Sequence, residues 1–168
     1  SDLAYDPAEN SLLIATYGQG LFYYYINTQQ LSQHKQGEAK LNLASNYPMS
    51  ILKDKQQTIW VGYDGRGLDV LDPKIKKFTP LVSTSPVEKF NLQFVRKIIE
   101  DDNQILWFAT AGSGLGEYNR ETEKVTYHNS GALTPKAETF IIEMAKVNNQ
   151  IWLGLNGGGI YVFNINKK

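Results

Sequence analysis

The chain has 168 residues, 42% hydrophobic and 12% aromatic, which is globular material sufficient for one sizeable core or for a row of small units sharing one. Seventeen basic residues cancel 17 acidic ones and no basic run occurs, so the footprint of a nucleic-acid binder is not indicated. With no cysteine, disulfide staples and thiolate chemistry are excluded, and no apolar run approaches the ~20 residues that span a bilayer, so no membrane contact by this chain itself is expected.

In chain order, Ser1-Asp2-Leu3 opens directly into a globular pattern without the features of a leader peptide; for an exported protein the targeting segments lie outside these residues. "SDLAYDP" predicts an inner strand, and "LIATYGQGLFYY" from Leu13 follows it. A long polar connection, 31–48, leads to "MSILKD" (Met49 to Asp54), the turn "DKQQ" and "WVGYDGRGLDVL" from Trp60. After the polar turn "DPKIKK", the short strand "KFTPL" and the connection 80–93, the pattern starts again with "FVRKIIED" (Phe94 to Asp101), "DDNQ" and "WFATAGSGLGEY" from Trp107. The turn "NRETEK", the strand "KVTYH" and the connection 129–139 come next. Pro135 to Asn148 has a weak helical pattern, but its place in the order makes "TFIIEMAK" an inner strand, before "WLGLNGGGIYVF" from Trp152.

The anchors Leu13, Trp60, Trp107 and Trp152 stand 47, 47 and 45 residues apart. Each is followed five residues later by glycine, two further on by a second glycine, and then by Leu21, Leu68, Leu115 or Ile160. Such self-similarity is the mark of a repeat. The unit is all-β, since its apolar runs are short and rich in aromatic and β-branched residues. Four antiparallel strands in about 45 residues is the pattern of a β-propeller blade. The expected fold is therefore four four-stranded antiparallel blades at approximately 1–36, 47–82, 93–129 and 138–168, the last one incomplete.

Two readings of the glycines compete. A phosphate cradle is best represented by "AGSGLGEYN", but Glu117 stands where a third glycine is needed, and no Lys-Ser/Thr or helix follows. A tight turn between second and third strands needs positive φ and accounts for every copy: Gly18 and Gly20, Gly65 and Gly67, Gly112 and Gly114, Gly157 and Gly159. Trp60, Trp107 and Trp152 offer a stacking surface in principle, but their repeat equivalence predicts packing between blades.

"IWVGYDGRGLDVLDP", "LWFATAGSGLGEYNR" and "IWLGLNGGGIYVFN" closely resemble the two-component regulator propeller repeat, and "LLIATYGQGLFYY" less closely. The resemblance covers essentially the whole chain. It implies part of a seven-bladed propeller in the periplasmic sensor region of a hybrid two-component histidine kinase, with no kinase in this chain, and an oligosaccharide as the signal. It also implies a piece of a longer protein, whose open blade faces pair with the remaining blades or with a second copy as a homodimer.

Blade geometry gathers the second-to-third turns and the inter-blade connections at one end, with Tyr17, Gln19, Tyr63, Asp64, Arg66, Ser113 and Asn156. Tyr63, Asp64 and Arg66 offer an aromatic plate, an acceptor and a fork of donors, a set suited to a sugar; Arg96 and Asn156 are further candidates. The alternative is that they solvate turns. Catalysis has weaker support, although propellers host lyases and hydrolases. His34 falls in a loop and His128 on an outer strand, "EDD" (Glu100 to Asp102) reads as a solvated turn, and no metal-ligand spacing occurs, so neither a metal nor another cofactor is expected. A protein-binding propeller is the other alternative.

Overall fold

The computed structural model describes residues 2–37, 43–72, 77–81, 94–128 and 140–167. The first repeat forms β1 (Asp2–Asp6), β2 (Ser11–Thr16), β3 (Gly20–Tyr25) and β4 (Gln30–His34). The second forms β5 (Pro48–Lys53), β6 (Ile59–Tyr63), β7 (Leu68–Asp72) and β8 (Lys77–Pro80). The third forms β9 (Val95–Glu100), β10 (Leu106–Thr110), β11 (Leu115–Asn119) and β12 (Lys124–His128), and the fourth β13 (Ile141–Val147), β14 (Gln150–Leu155) and β15 (Gly159–Asn164), followed by a 3-10 turn, Ile165–Lys167. Among the described residues each repeat is its own antiparallel sheet with strands in chain order, three of them four-stranded and the last three-stranded. The chain is thus all-β and built of propeller blades, with the incomplete last blade expected from its sequence. Among the described residues no helix is long and apolar enough to cross a membrane.

One expectation about the connections needs correction. Residues 30–34 are not part of a connection but the outer strand β4, paired with β3 from Leu21↔His34 to Tyr25↔Gln30, so His34 is a strand residue. An outermost strand is largely solvated, and "QLSQH" carries no apolar run to announce it. Most of 80–93 and all of 129–139 lie outside the described residues, as do residues 135–139 of the ambiguous segment; its remainder, from Ile141 to Val147, is the inner strand β13.

The chain divides into two compact units, Ser1–Leu81 and Val82–Lys168, each holding two blades. Strand alternation gives every blade two faces. On what we term the front face lies the anchor residue; the back face carries its neighbours in sequence. In the first unit the front of the first blade (Leu13, Ala15, Leu21, Tyr23) shares a buried core with the back of the second (Ile51, Ile59, Val61, Tyr63, Phe78). In the second unit the front of the third blade (Trp107, Ala109, Leu115) packs on the back of the fourth (Met144, Ile151, Leu153). Burial on both faces leaves β6 and β10 buried at every position, which explains their unbroken apolar sequence.

Both glycines of each Gly-x-Gly pair take φ between 73° and 103°. At the opposite end of the blades, the turn from first to second strand is organised by an aspartate. Asp54 Oδ1 accepts the amides of Gln56 and Thr58 at 2.8 and 2.9 Å, while its Oδ2 accepts the indole N–H of Trp60 at 2.6 Å. Asp101 repeats this with Asn103, Ile105 and the indole of Trp107, at 2.9, 2.9 and 3.0 Å. In the first blade, where Leu13 has no indole, Asp6 accepts the amides of Ala8 and Glu9 and forms a buried ion pair with Lys53 of the second blade. "EDD" is therefore not a solvated turn. Asp101 is only 1% exposed, Glu100 bonds Arg120 at 3.2 Å, and only Asp102, bound to Lys146, faces solvent.

The anchors differ in environment. Trp60 and Trp107 are buried, but Trp152 is 41% exposed. Val147 stands in the fourth blade where the aspartate stands in the others, and the front face that Trp152 occupies has no blade against it among the described residues of its unit. Trp60 and Trp107 thus pack as expected of the repeat, while Trp152 stands on a face that no described blade of its unit covers.

Asp69 is a buried carboxyl in the first unit, accepting the Tyr63 hydroxyl at 3.0 Å and the Ala44 amide at 3.1 Å. Its Oδ1 has no hydrogen-bond partner among the described residues, and burial raises its pKa above the ordinary carboxylate value despite those two bonds. A raised folded pKa means that the folded state binds the proton more tightly, so stability falls as pH rises from the unfolded value, near 3.8, through the folded one. Asp69→Asn keeps a neutral acceptor for both donors. Its melting temperature relative to the parent is expected to climb as pH rises from acid to neutral, read by thermal melts across that range; a pH-independent difference would contradict this.

Candidate functional site

At the Gly-x-Gly end of the first unit, three chain segments are tied together through their backbones. The amides of Gly18 and Gly20, in and just after the β2–β3 turn, donate to the Asn46 carbonyl at 2.9 and 3.0 Å. The Asp64 amide, at the start of the β6–β7 turn, donates to the Tyr47 carbonyl at 3.0 Å, and the Tyr47 amide donates to Ser45 Oγ at 3.1 Å. These bonds hold the turns as a rigid platform, and the side chains on it are Tyr17, Tyr47, Asp64 and Arg66.

The two tyrosine rings meet edge to face, with centroids 5.0 Å apart and planes at 69°, while remaining 61% and 45% exposed. The Tyr17 hydroxyl donates to Asp64 Oδ2 at 3.2 Å, fixing the carboxylate beside the rings. Arg66 is exposed two residues further along the same turn. The result is an exposed aromatic pair with an anchored carboxylate, on a turn that also carries the exposed Arg66. Pyranose sugars match this chemistry, since their C–H faces stack on aromatic rings and their hydroxyls bond to carboxylates and guanidinium forks.

Tyr63 does not contribute. It is fully buried, its hydroxyl bound to Asp69, and burial pushes its pKa well above the usual phenol range. Tyr63 shares the back face with Ile59 and Val61, so strand parity turns it into the core and away from the turn that follows. The aromatic partners of Asp64 are instead Tyr17, which occupies the corresponding turn position in the preceding blade, and Tyr47, which the sequence reading missed. A signal for Tyr47 exists: Tyr47 and Phe94 lie 13 residues before Trp60 and Trp107, and Phe140 lies 12 before Trp152. Each of these aromatics offers its carbonyl to the following turn, Phe94 to the Ala111 amide and Phe140 to the Asn156 amide.

Arg96 and Asn156 stand in the second unit, Arg96 half-buried on β9 and Asn156 exposed in the β14–β15 turn. Of the two histidines, His128 bonds Glu117 at 2.8 Å and lies against Trp107 and Phe163 between the third and fourth blades, a packing position. Among the described residues no three His, Cys, Asp or Glu side chains are grouped to hold a metal.

No protein-family model matches the chain, and no curated protein matches it. Solved structures do. The chain superposes on the extracellular domain of a one component system from B. thetaiotaomicron with a TM-score of 0.78 at 18% identity, over 98% of this chain and 22% of that one. A hybrid two component system of the same organism gives the same TM-score and identity for its extracellular domain, over 98% and 23%. YCF48 bound to D1 peptide is similar at a TM-score of 0.61 and 10% identity, over 95% and 48%. This chain thus spans under a quarter of the two extracellular domains. At these identities the likeness establishes the fold, that of propeller blades, and it is consistent with the two-component regulator propeller repeat that the motifs resemble.

Proposed function

We propose that this chain is a non-catalytic ligand-recognition part of a hybrid two-component sensor that acts outside the cytoplasm, in the periplasm, within a seven-bladed propeller, and that it takes an oligosaccharide at the Tyr17–Tyr47 platform. The observation that carries the ligand class is the exposed tyrosine pair beside Asp64, with Arg66 exposed in the same turn. Two large rings left in water on a rigid scaffold, next to a held carboxylate, are what a sugar-binding surface requires. The sensor role is supported by the fold shared with extracellular domains of bacterial signalling systems.

Calorimetric titration with oligosaccharides cut from bacterial growth polysaccharides tests this reading. Saturable binding is expected for at least one of them. Tyr47→Ala is expected to weaken it at least tenfold, about 1.4 kcal/mol, because truncation removes one stacking surface and the edge contact that orients the other. Undiminished affinity in that variant would place the sugar elsewhere. A second reading, peptide recognition, draws on the similar fold of YCF48, solved with a peptide bound. No response to any saccharide, with saturable binding of an extended peptide that Tyr47→Ala abolishes, would favour it.

A further inference from the structure

We infer, on the basis of the oligosaccharide reading above, that Arg96 anchors a second ligand subsite, in the second unit, and that this subsite takes an acidic sugar unit. Arg96 lies on β9, the edge strand of the third sheet. Within each unit the first strands of successive blades run close together, β1 by β5 and β9 by β13, as the strands around the central channel of a propeller do. Further blades of a ring cover blade faces and leave this edge open. Three of these first strands carry a one-residue bulge at the same place. Met49 is the extra residue between the pairs Pro48↔Tyr63 and Ser50↔Gly62, Arg96 between Val95↔Thr110 and Lys97↔Ala109, and Ile142 between Ile141↔Leu155 and Glu143↔Gly154. A bulge frees its residue from the ladder and re-aims the side chain. Of the three, Arg96 alone is charged.

The guanidinium is half-buried, and among the described residues no acceptor or acidic side chain pairs with it. Its surroundings are not short of acids: the adjacent Lys97 meets Glu143 of β13 at 3.9 Å, and Arg120 meets Glu100 at 3.2 Å. Partial burial weakens the hydration of a cation, so an unpaired one gains from an incoming anion. A guanidinium fork matches the two oxygens of a carboxylate, and a sulfate ester presents oxygens in a similar way. An aromatic surface stands at the same end of the neighbouring strand. Ala111 donates its amide to the Phe94 carbonyl at 3.0 Å, just before β9, and forms a bridge with Phe140, just before β13. The Phe140 ring is 39% exposed. Ring and guanidinium together offer a stacking surface and an anion anchor for one sugar unit.

Calorimetric titration of the 168-residue chain with three probes tests the assignment: an oligogalacturonide, its carboxyl-reduced neutral counterpart, and a sulfated form of that neutral oligomer. At least one acidic probe is expected to bind about tenfold or more tightly than the neutral one, and the two acidic probes separate carboxylate from sulfate as the source of charge. The preference is expected to shrink as salt is raised. Arg96→Gln is expected to remove it, and Arg96→Lys to keep only part of it, since an ammonium lacks the fork. Circular dichroism checks the fold of each variant, and should Arg96→Gln lose its strand signal, Arg96→Met, the residue of the equivalent bulge in the second blade, takes its place. Equal affinity for the acidic and neutral probes would overturn the inference and leave the oligosaccharide reading standing. A preference that survives the loss of the guanidinium would overturn it as well, by placing the acidic unit elsewhere. Binding of none of the three would count against both.

Discussion

Replacing Asp101 with alanine is expected to lower the melting temperature of the chain by about 10 °C. That carboxylate satisfies three donors at once: the amides of Asn103 and Ile105 and the indole of Trp107, a side chain with no exposure. Alanine removes the acceptor and leaves the donors in place. A buried N–H without a partner costs about 1–3 kcal/mol, and loss of a charged acceptor adds to it, so about 3–5 kcal/mol is at stake. For a chain of this size each kcal/mol corresponds to about 2–4 °C. Asp102→Ala is the matched control. Asp102 is paired with Lys146 at 2.7 Å but its side chain is 77% exposed, and an exposed ion pair contributes about 1 kcal/mol or less. Thermal melts of the two variants side by side check the account; equal losses would show that the buried indole bond has no special weight.

Gly20→Ala is expected to be nearly as damaging, and Gly65→Ala much less so, although both glycines have positive φ. The backbone penalty is common to the two, at φ of 77° and 84°, and is worth about 1–2 kcal/mol for a side-chain-bearing residue. Surroundings separate them. A Cβ on Gly20 would stand 2.2 Å from the backbone carbonyl oxygen of His34, an atom fixed in the β3–β4 pairing, whereas one on Gly65 meets nothing within 4 Å. Relief at Gly20 requires opening the outer strand of the first blade, which brings the expected loss to about 3 kcal/mol or more. Denaturant midpoints for the two alanine variants measure the difference, and similar values would mean that the outer strand yields at little cost.

The repeat was legible because its constraints are local. A turn that demands positive φ in every blade leaves a glycine signature in every copy, and strands covered on both faces, such as Ile59 to Tyr63, read as unbroken apolar runs. Side-chain parity was the harder part. Tyr63 lies two residues beyond Val61 and four beyond Ile59, so its inward direction was implicit in the two-residue period, but its place beside a turn suggested exposure. The polar outer strand Gln30–His34 carried no apolar signal. Asp54 and Asp101 look like ordinary turn residues until the indole six positions later is seen to fold back on them. Tyr47 was missed because it belongs to a connection in sequence and to a platform in space, where backbone bonds from the neighbouring turn hold it against Tyr17.

Saturation-transfer NMR on the 168-residue chain, irradiating the tyrosine ring protons in the presence of an oligosaccharide, tests the proposed recognition most directly. The account predicts strong transfer to the protons on one face of a sugar ring, and its loss when Tyr17 and Tyr47 are both replaced by alanine. Transfer that survives the double replacement, or none for any saccharide tried, would contradict it.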